Sequence, residues 1–197
     1  MAARTALALA LLTLLLLPAT ADAACQSRAI GQANHGRLAC GVQLPAGTED
    51  FVTWDFPLAE SPNRGWRRWG TQKLIDSVDE IALDYTTRFP IGPRLVVGDL
   101  SRRYGGPFGE EFGGVGHSSH QNGLDVDIYY PRIDGMEEPP ELPLLIDRQR
   151  AQWLVNRVAR GAHFVFIGPH TGLRRPGRQV QYLPLYHDNH LHLRVWP

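Results

Sequence analysis

Cysteine, lysine and net charge are what this chain has least of: two cysteines, one lysine and a formal balance of zero. Two thiols, Cys25 and Cys40, are too few for a cysteine-rich zinc site. In an exported chain such a pair forms a disulfide instead. The lone lysine, Lys73, stands among 19 arginines, a bias that carries no argument by itself. Acidic residues balance the basic ones and no basic stripe runs along the chain, which speaks against nucleic acid as a partner. There is no internal repeat and no low-complexity tract.

Long apolar runs are also missing, with one exception at the start. Arg4 is followed by an uncharged apolar run over residues 6–17, broken by Pro18. That run is shorter than the ~20 residues a membrane span takes, so no stable membrane insertion is expected. Ala21-Asp22-Ala23 is a small-x-small cleavage signature, and the whole reads as a secretory signal peptide over residues 1–23. Cys25 stands where a lipoprotein cysteine would, but Asp22 occupies a position such a signal keeps apolar. The expectation is an exported protein, periplasmic or extracellular, with residues 24–197 as one domain large enough for a real core. Nothing in the sequence sets the oligomeric state.

Two helices are legible. Thr71 is an N-cap, followed by Leu74, Ile75, Val78, Ile81, Ala82 and Tyr85 at helical spacing. Phe89-Pro90 closes that helix, because a residue before proline leaves the helical region. Asp147 caps a second helix over about 148–160. Residues 51–56, 95–100, 163–167 and 186–196 read as strands. Long glycine- or proline-rich loops fill 57–70, 101–116, 131–145 and 168–181. The fold class is α+β: a small central antiparallel sheet flanked by two or more helices and long loops.

Five of the eight histidines lie in two stretches, GHSSHQNGLDVDI at 116–128 and HDNHLHLRVWP at 187–197. In the first, Leu124, Val126 and Ile128 alternate with Asp125, Asp127 and Tyr129. In the second, Leu191, Leu193 and Val195 alternate with His190, His192 and Arg194. Alternate strand residues face opposite sides, so each strand offers one aliphatic and one polar face. Set side by side, the strands bring Asp127 to His192, and His120 folds back over them across a turn at Gly123. Two imidazoles and a carboxylate with an open fourth position is the layout of a catalytic zinc. No HExxH motif supplies the usual helix-borne glutamate, so the base is His190, on the ligand face, with His187 as second candidate. Asp125 is a candidate to hydrogen-bond a ligand histidine. His35, His163 and His170 lack such company. His170, in GPHTGLRRP, is a candidate substrate contact, as are the loop arginines Arg102, Arg103, Arg174 and Arg175.

His120 followed by Asp127, with a C-terminal H-x-H, resembles the LAS metallopeptidase group of lysostaphin-type endopeptidases, D-alanyl-D-alanine carboxypeptidases and sonic hedgehog. The fuller strings, with RRWGT and VVGDLS upstream, are similar to the penicillin-insensitive murein endopeptidases over roughly residues 66–197. The resemblance implies one Zn2+ held by His120, Asp127 and His192, with His190 and His187 catalytic. It matches His117 to a histidine that can hold a second metal, but residues 131–147 contain no histidine to complete that site, so one ion is expected. The N-terminal cysteine pair departs from the family's richer disulfide set. The implied substrate is peptidoglycan, cut at a peptide cross-link of the D-alanyl to meso-diaminopimelyl type. The absence of an SxxK serine agrees with penicillin insensitivity, since a β-lactam has nothing to acylate. Two other readings stay open: a cell-wall carboxypeptidase, and a zinc-holding module of the same fold without catalysis.

Overall fold

The computed structural model describes residues 25–108, 117–184 and 186–197. The expected signal peptide lies outside them. Among the described residues, ten strands and two α-helices form an α+β fold, with six of the strands in one sheet.

Helix α1, Gln72–Arg88, starts where Thr71 Oγ1 accepts a hydrogen bond from the Leu74 amide at 3.2 Å. It ends at Phe89, whose φ of −127° already leaves the helix ahead of Pro90. Helix α2, Arg148–Ala159, is capped by Asp147, whose carboxylate accepts from the amides of Gln149 and Arg150. The buried stripes, Leu74, Ile75, Val78, Ile81, Ala82 and Tyr85 on α1 and Ala151, Leu154, Val155 and Val158 on α2, are those of amphipathic helices with one face inward.

The strands are β1 Arg28–Gln32, β2 His35–Ala39, β3 Val42–Gln43, β4 Phe51–Thr53, β5 Trp69–Gly70, β6 Leu95–Val97, β7 Asp125–Tyr129, β8 Ala162–Ile167, β9 Val180–Tyr182 and β10 His190–Val195. The main sheet runs β4-β6-β7-β10-β8-β9. Its three inner pairings are antiparallel, but both edge pairings, β4 with β6 and β8 with β9, are parallel. The central antiparallel sheet expected from sequence is therefore the middle of a mixed one. Strand direction at an edge follows from where the connecting chain returns, which side-chain alternation does not encode.

One face of this sheet carries Val126, Ile128, Leu191, Leu193, Val195, Val165 and Ile167. These form a single apolar cluster with both helices. The opposite face presents Asp125, Asp127, His192 and Arg194 in the middle, with Val52, Val96 and Tyr129 clustered toward β4. Alternation alone suggests a solvated polar face. Here it is roofed: Asp125 is 0% and Asp127 4% exposed. The β1–β2 hairpin packs on the turn before β7, where the Gln121 amide bonds to Ala33 O. Leu38 packs so closely on Gly123 (φ +76°) that a Cβ there would come within 2.8 Å of it. The Cys25–Cys40 disulfide, closing a 15-residue separation, ties the two ends of this hairpin together. A loop of that length is worth about 3 kcal/mol in chain entropy. Both thiols are used in it. Among the described residues no helix is long and apolar enough to cross a membrane.

Candidate metal centre

In the β7–β10 ladder, His192 lies directly opposite Asp127, Arg194 opposite Asp125 and His190 opposite Tyr129. His120 reaches the same place from the turn before β7. It sits at φ +67°, a conformation unusual outside glycine, and its amide donates to Asp125 Oδ2 at 3.1 Å.

The donor atoms converge. His120 Nε2 and His192 Nδ1 are 3.2 Å apart, His192 Nδ1 and Asp127 Oδ1 3.0 Å, and His120 Nε2 and Asp127 Oδ1 3.4 Å. Zinc bonds of ~2.0–2.1 Å would set tetrahedral nitrogen and oxygen ligands about 3.3 Å apart, so this triangle has the right size for the ion. His117, His120 and Asp127 form an overlapping group, with ligand atoms all within 4.8 Å of one another. The two sets share His120 and Asp127 and differ in the side of the carboxylate they use. His192 approaches Oδ1, while His117 Nδ1 lies 3.7 Å from Oδ2. The His120–Asp127–His192 set is the tighter of the two.

The outer nitrogen of each histidine around Asp127 meets an acceptor. His120 Nδ1 lies 2.7 Å from Leu100 O, His192 Nε2 3.1 Å from Asp125 Oδ1, His190 Nδ1 2.7 Å from Asn189 Oδ1 and His117 Nε2 2.8 Å from Asp99 Oδ2. When a ring is neutral, its acceptor places the hydrogen on the outer nitrogen and turns the other nitrogen toward Asp127. Asp125 is held in turn by a fork from Arg194, Nε at 2.7 Å and Nη2 at 2.5 Å.

Electrostatics follow from that crowding. Burial alone would raise the Asp127 carboxyl, but the histidines around it, His120 foremost, hold it well below the usual range. Asp125 is likewise low: the His192 and Arg194 contacts outweigh its burial. The metal-free His192 ring is pushed up to about 9, since Asp125 and Asp127 overcome burial. His190 goes the other way, down to about 4, because burial and the neighbouring histidines outweigh Asp127. It is therefore a neutral imidazole at neutral pH, with Nε2 3.8 Å from Asp127 Oδ1. The His187 ring stands 4.9 Å from His190 and 6.2 Å from His192.

The outer candidates are placed differently. His170 is 71% exposed at its side chain, and its Nδ1 pairs with Asp188 Oδ2 at 2.7 Å. Arg102 donates to Pro107 O at 2.8 Å, and Arg103 lies over the rings of Trp69 and Tyr104. Both arginines line a cavity of about 320 Å³ with Trp66 and Tyr104. Phe108 stands between Trp66 and the histidines, 5.6 Å from Trp66, 5.2 Å from His117 and 6.3 Å from His120. Arg174 is tied through its backbone to Gln152 of α2, away from the histidine cluster. Sequence reasoning assigns no role to Asp99, Arg67, Arg194, Asn189 or Gly168. The one available signal was an acid ending the buried VVGD segment.

A search of curated proteins found no match. The family model of penicillin-insensitive murein endopeptidase matches residues 29–160. The match begins well before residue 66, where the sequence resemblance starts, taking in the β1–β2 hairpin and both helices. It stops short of His187, His190 and His192, so those three rest on the geometry above. Spanning well over half of the chain, the match places it in the penicillin-insensitive murein endopeptidase family.

Proposed function

We propose that the chain is a zinc-dependent peptidoglycan endopeptidase that hydrolyses the D-alanyl to meso-diaminopimelyl type of cross-link. The hydrolase class comes from the family. The observation that carries the zinc reading is the 3.0–3.4 Å triangle of His120 Nε2, Asp127 Oδ1 and His192 Nδ1. Two nitrogens and an oxygen without thiolate suit zinc, and three protein ligands leave a position open. A zinc ion held there supplies Lewis-acid activation of water and of the scissile carbonyl.

The residues do the rest. Asp125 and the Leu100 carbonyl orient the two ligand imidazoles, and His192 together with the Arg194 fork keeps Asp125 ionised. His190 Nε2, neutral and turned inward, takes a proton from the attacking water and returns it to the leaving amine. His187 stands beside His190 to orient it or share that proton. The roof over β7 and β10 keeps bulk water from the carboxylates and so strengthens each contact. Arg102, Arg103 and His170 are candidates for the carboxylates of the substrate peptide.

The test is to incubate the mature protein with purified sacculi, with and without a chelator, and identify the products by mass spectrometry. Cleaved cross-links that vanish with chelator and return with zinc are expected. Cleavage that survives complete metal removal would overturn the zinc mechanism. Release of terminal D-alanine alone would transfer the reading to a carboxypeptidase.

A further inference from the structure

Asp99, just beyond β6, is 4% exposed and surrounded by donors. Arg67 Nε reaches its Oδ1 at 2.6 Å and Asn63 Nδ2 the same oxygen at 2.9 Å. Arg67 Nη2 and His117 Nε2 share Oδ2, the latter at 2.8 Å. Arg67 is itself 1% exposed, with its guanidinium 5.0 Å from the Trp66 ring and 5.1 Å from Phe108. A buried ion pair of this kind is costly to desolvate and is weak evidence of a purely stabilising role. What it does supply is a carboxylate that cannot turn.

An ionised carboxylate only accepts hydrogen bonds, so the ring hydrogen facing it must sit on His117 Nε2. Nδ1 then points to the other side, 3.7 Å from Asp127 Oδ2. Phe108 meets the ring edge-on and His120 lies 4.3 Å away, which restricts rotation of the imidazole. We propose that Asp99, anchored by Arg67 and Asn63, is a positioning residue. It fixes His117 with Nε2–H toward Asp99 and Nδ1 toward Asp127 Oδ2, on the side of the overlapping His117–His120–Asp127 ligand group. The part of this that concerns the cation rests on the zinc reading above; the part that concerns the tautomer does not.

Two measurements separate them. In the metal-free wild type, long-range 15N–1H correlation at alkaline pH, where the ring is neutral, is expected to show His117 protonated at Nε2. A ring protonated at Nδ1 would overturn the proposal, whether or not zinc binds. The second is a double-mutant cycle on zinc affinity, read by chelator competition, with Asp99→Asn, His117→Ala and the double variant. Because His117 also belongs to a candidate ligand group with His120 and Asp127, Asp99→Asn is expected to weaken zinc by about 10–100-fold, but by no more than about 2-fold in the His117→Ala background. Equal losses in both backgrounds would mean that Asp99 acts through the fold, and no loss in either would mean that it does not act on the centre. If Asp99→Asn fails to fold, the wild-type tautomer and the effect of His117→Ala on zinc affinity decide the matter. A wild type that binds no zinc but shows the Nε2–H ring would sink the zinc reading and leave the positioning by Asp99 intact.

Discussion

Asp127 and His192 face each other across the β7–β10 ladder, with Oδ1 and Nδ1 3.0 Å apart. The two are separated by 65 residues in the chain. Their approach converts two alternating stretches into one centre, and removing either partner should dismantle it.

Replacing Asp127 by Asn keeps the volume and removes the charge. The zinc reading requires affinity to fall by more than the ~10–100-fold typical of an outer hydrogen-bond partner. Elemental analysis of the purified variant, alongside a cross-link assay, measures both consequences. A variant that keeps its zinc and its activity would remove Asp127 from the centre.

His190→Ala takes away the inward Nε2 but none of the three triangle atoms. Cross-link cleavage should drop by about 10²–10⁴-fold, the range of a general acid–base group. Bound zinc should stay near the wild-type level. Loss of metal together with activity would make His190 a ligand rather than a base.

Gly168 sits against the segment that carries His187. A Cβ there would stand 2.2 Å from Asp188 Oδ1 and 2.5 Å from His187 O. Gly168→Ala should displace that segment, and a shift of about 1 Å near reacting groups costs roughly 10²-fold in rate. Zinc affinity, resting on the ladder position of His192, should not change. If zinc affinity falls in step with the rate, the segment and the ladder move as one.

Glu137 concerns stability rather than chemistry. Arg94 hydrogen-bonds its carboxylate and holds its pKa below the ordinary glutamate value. A depressed folded pKa adds stability above the unfolded value of ~4.3, and that stability is lost as pH falls through the folded value. Melting temperature followed from neutral to acid pH should therefore fall less steeply in Glu137→Gln than in the wild type. The pair is half exposed, so the difference at neutral pH should stay under about 1 kcal/mol. An unchanged acid limb would mean that the pair contributes nothing.

Local rules made much of the frame legible. Thr71 and Asp147 cap their helices because a side-chain oxygen and the amides it satisfies are only a few residues apart. The aliphatic faces of β7 and β10 follow from a period of two. Strand lengths were less secure: residues 95–100 read as one strand, yet β6 stops at Val97 and Gly98-Asp99 turns toward the site. That departure is what lets Asp99 meet His117, and nothing in the periodicity announces it.

The sequence by itself determined which residues share a face, which stretches carry the histidines and aspartates, and where the helices begin, since all of these depend on neighbours close in the chain. Only the tertiary structure decided that His192 stands opposite Asp127, that the polar face is roofed, and which nitrogen of each imidazole turns inward. Those depend on Leu100, Asp125, Asn189 and Asp99 as acceptors and on Arg194 and Arg67 behind two of them. Several of these partners come from other strands and loops, and a hydrogen bond fixes a ring only once folding has brought its acceptor there.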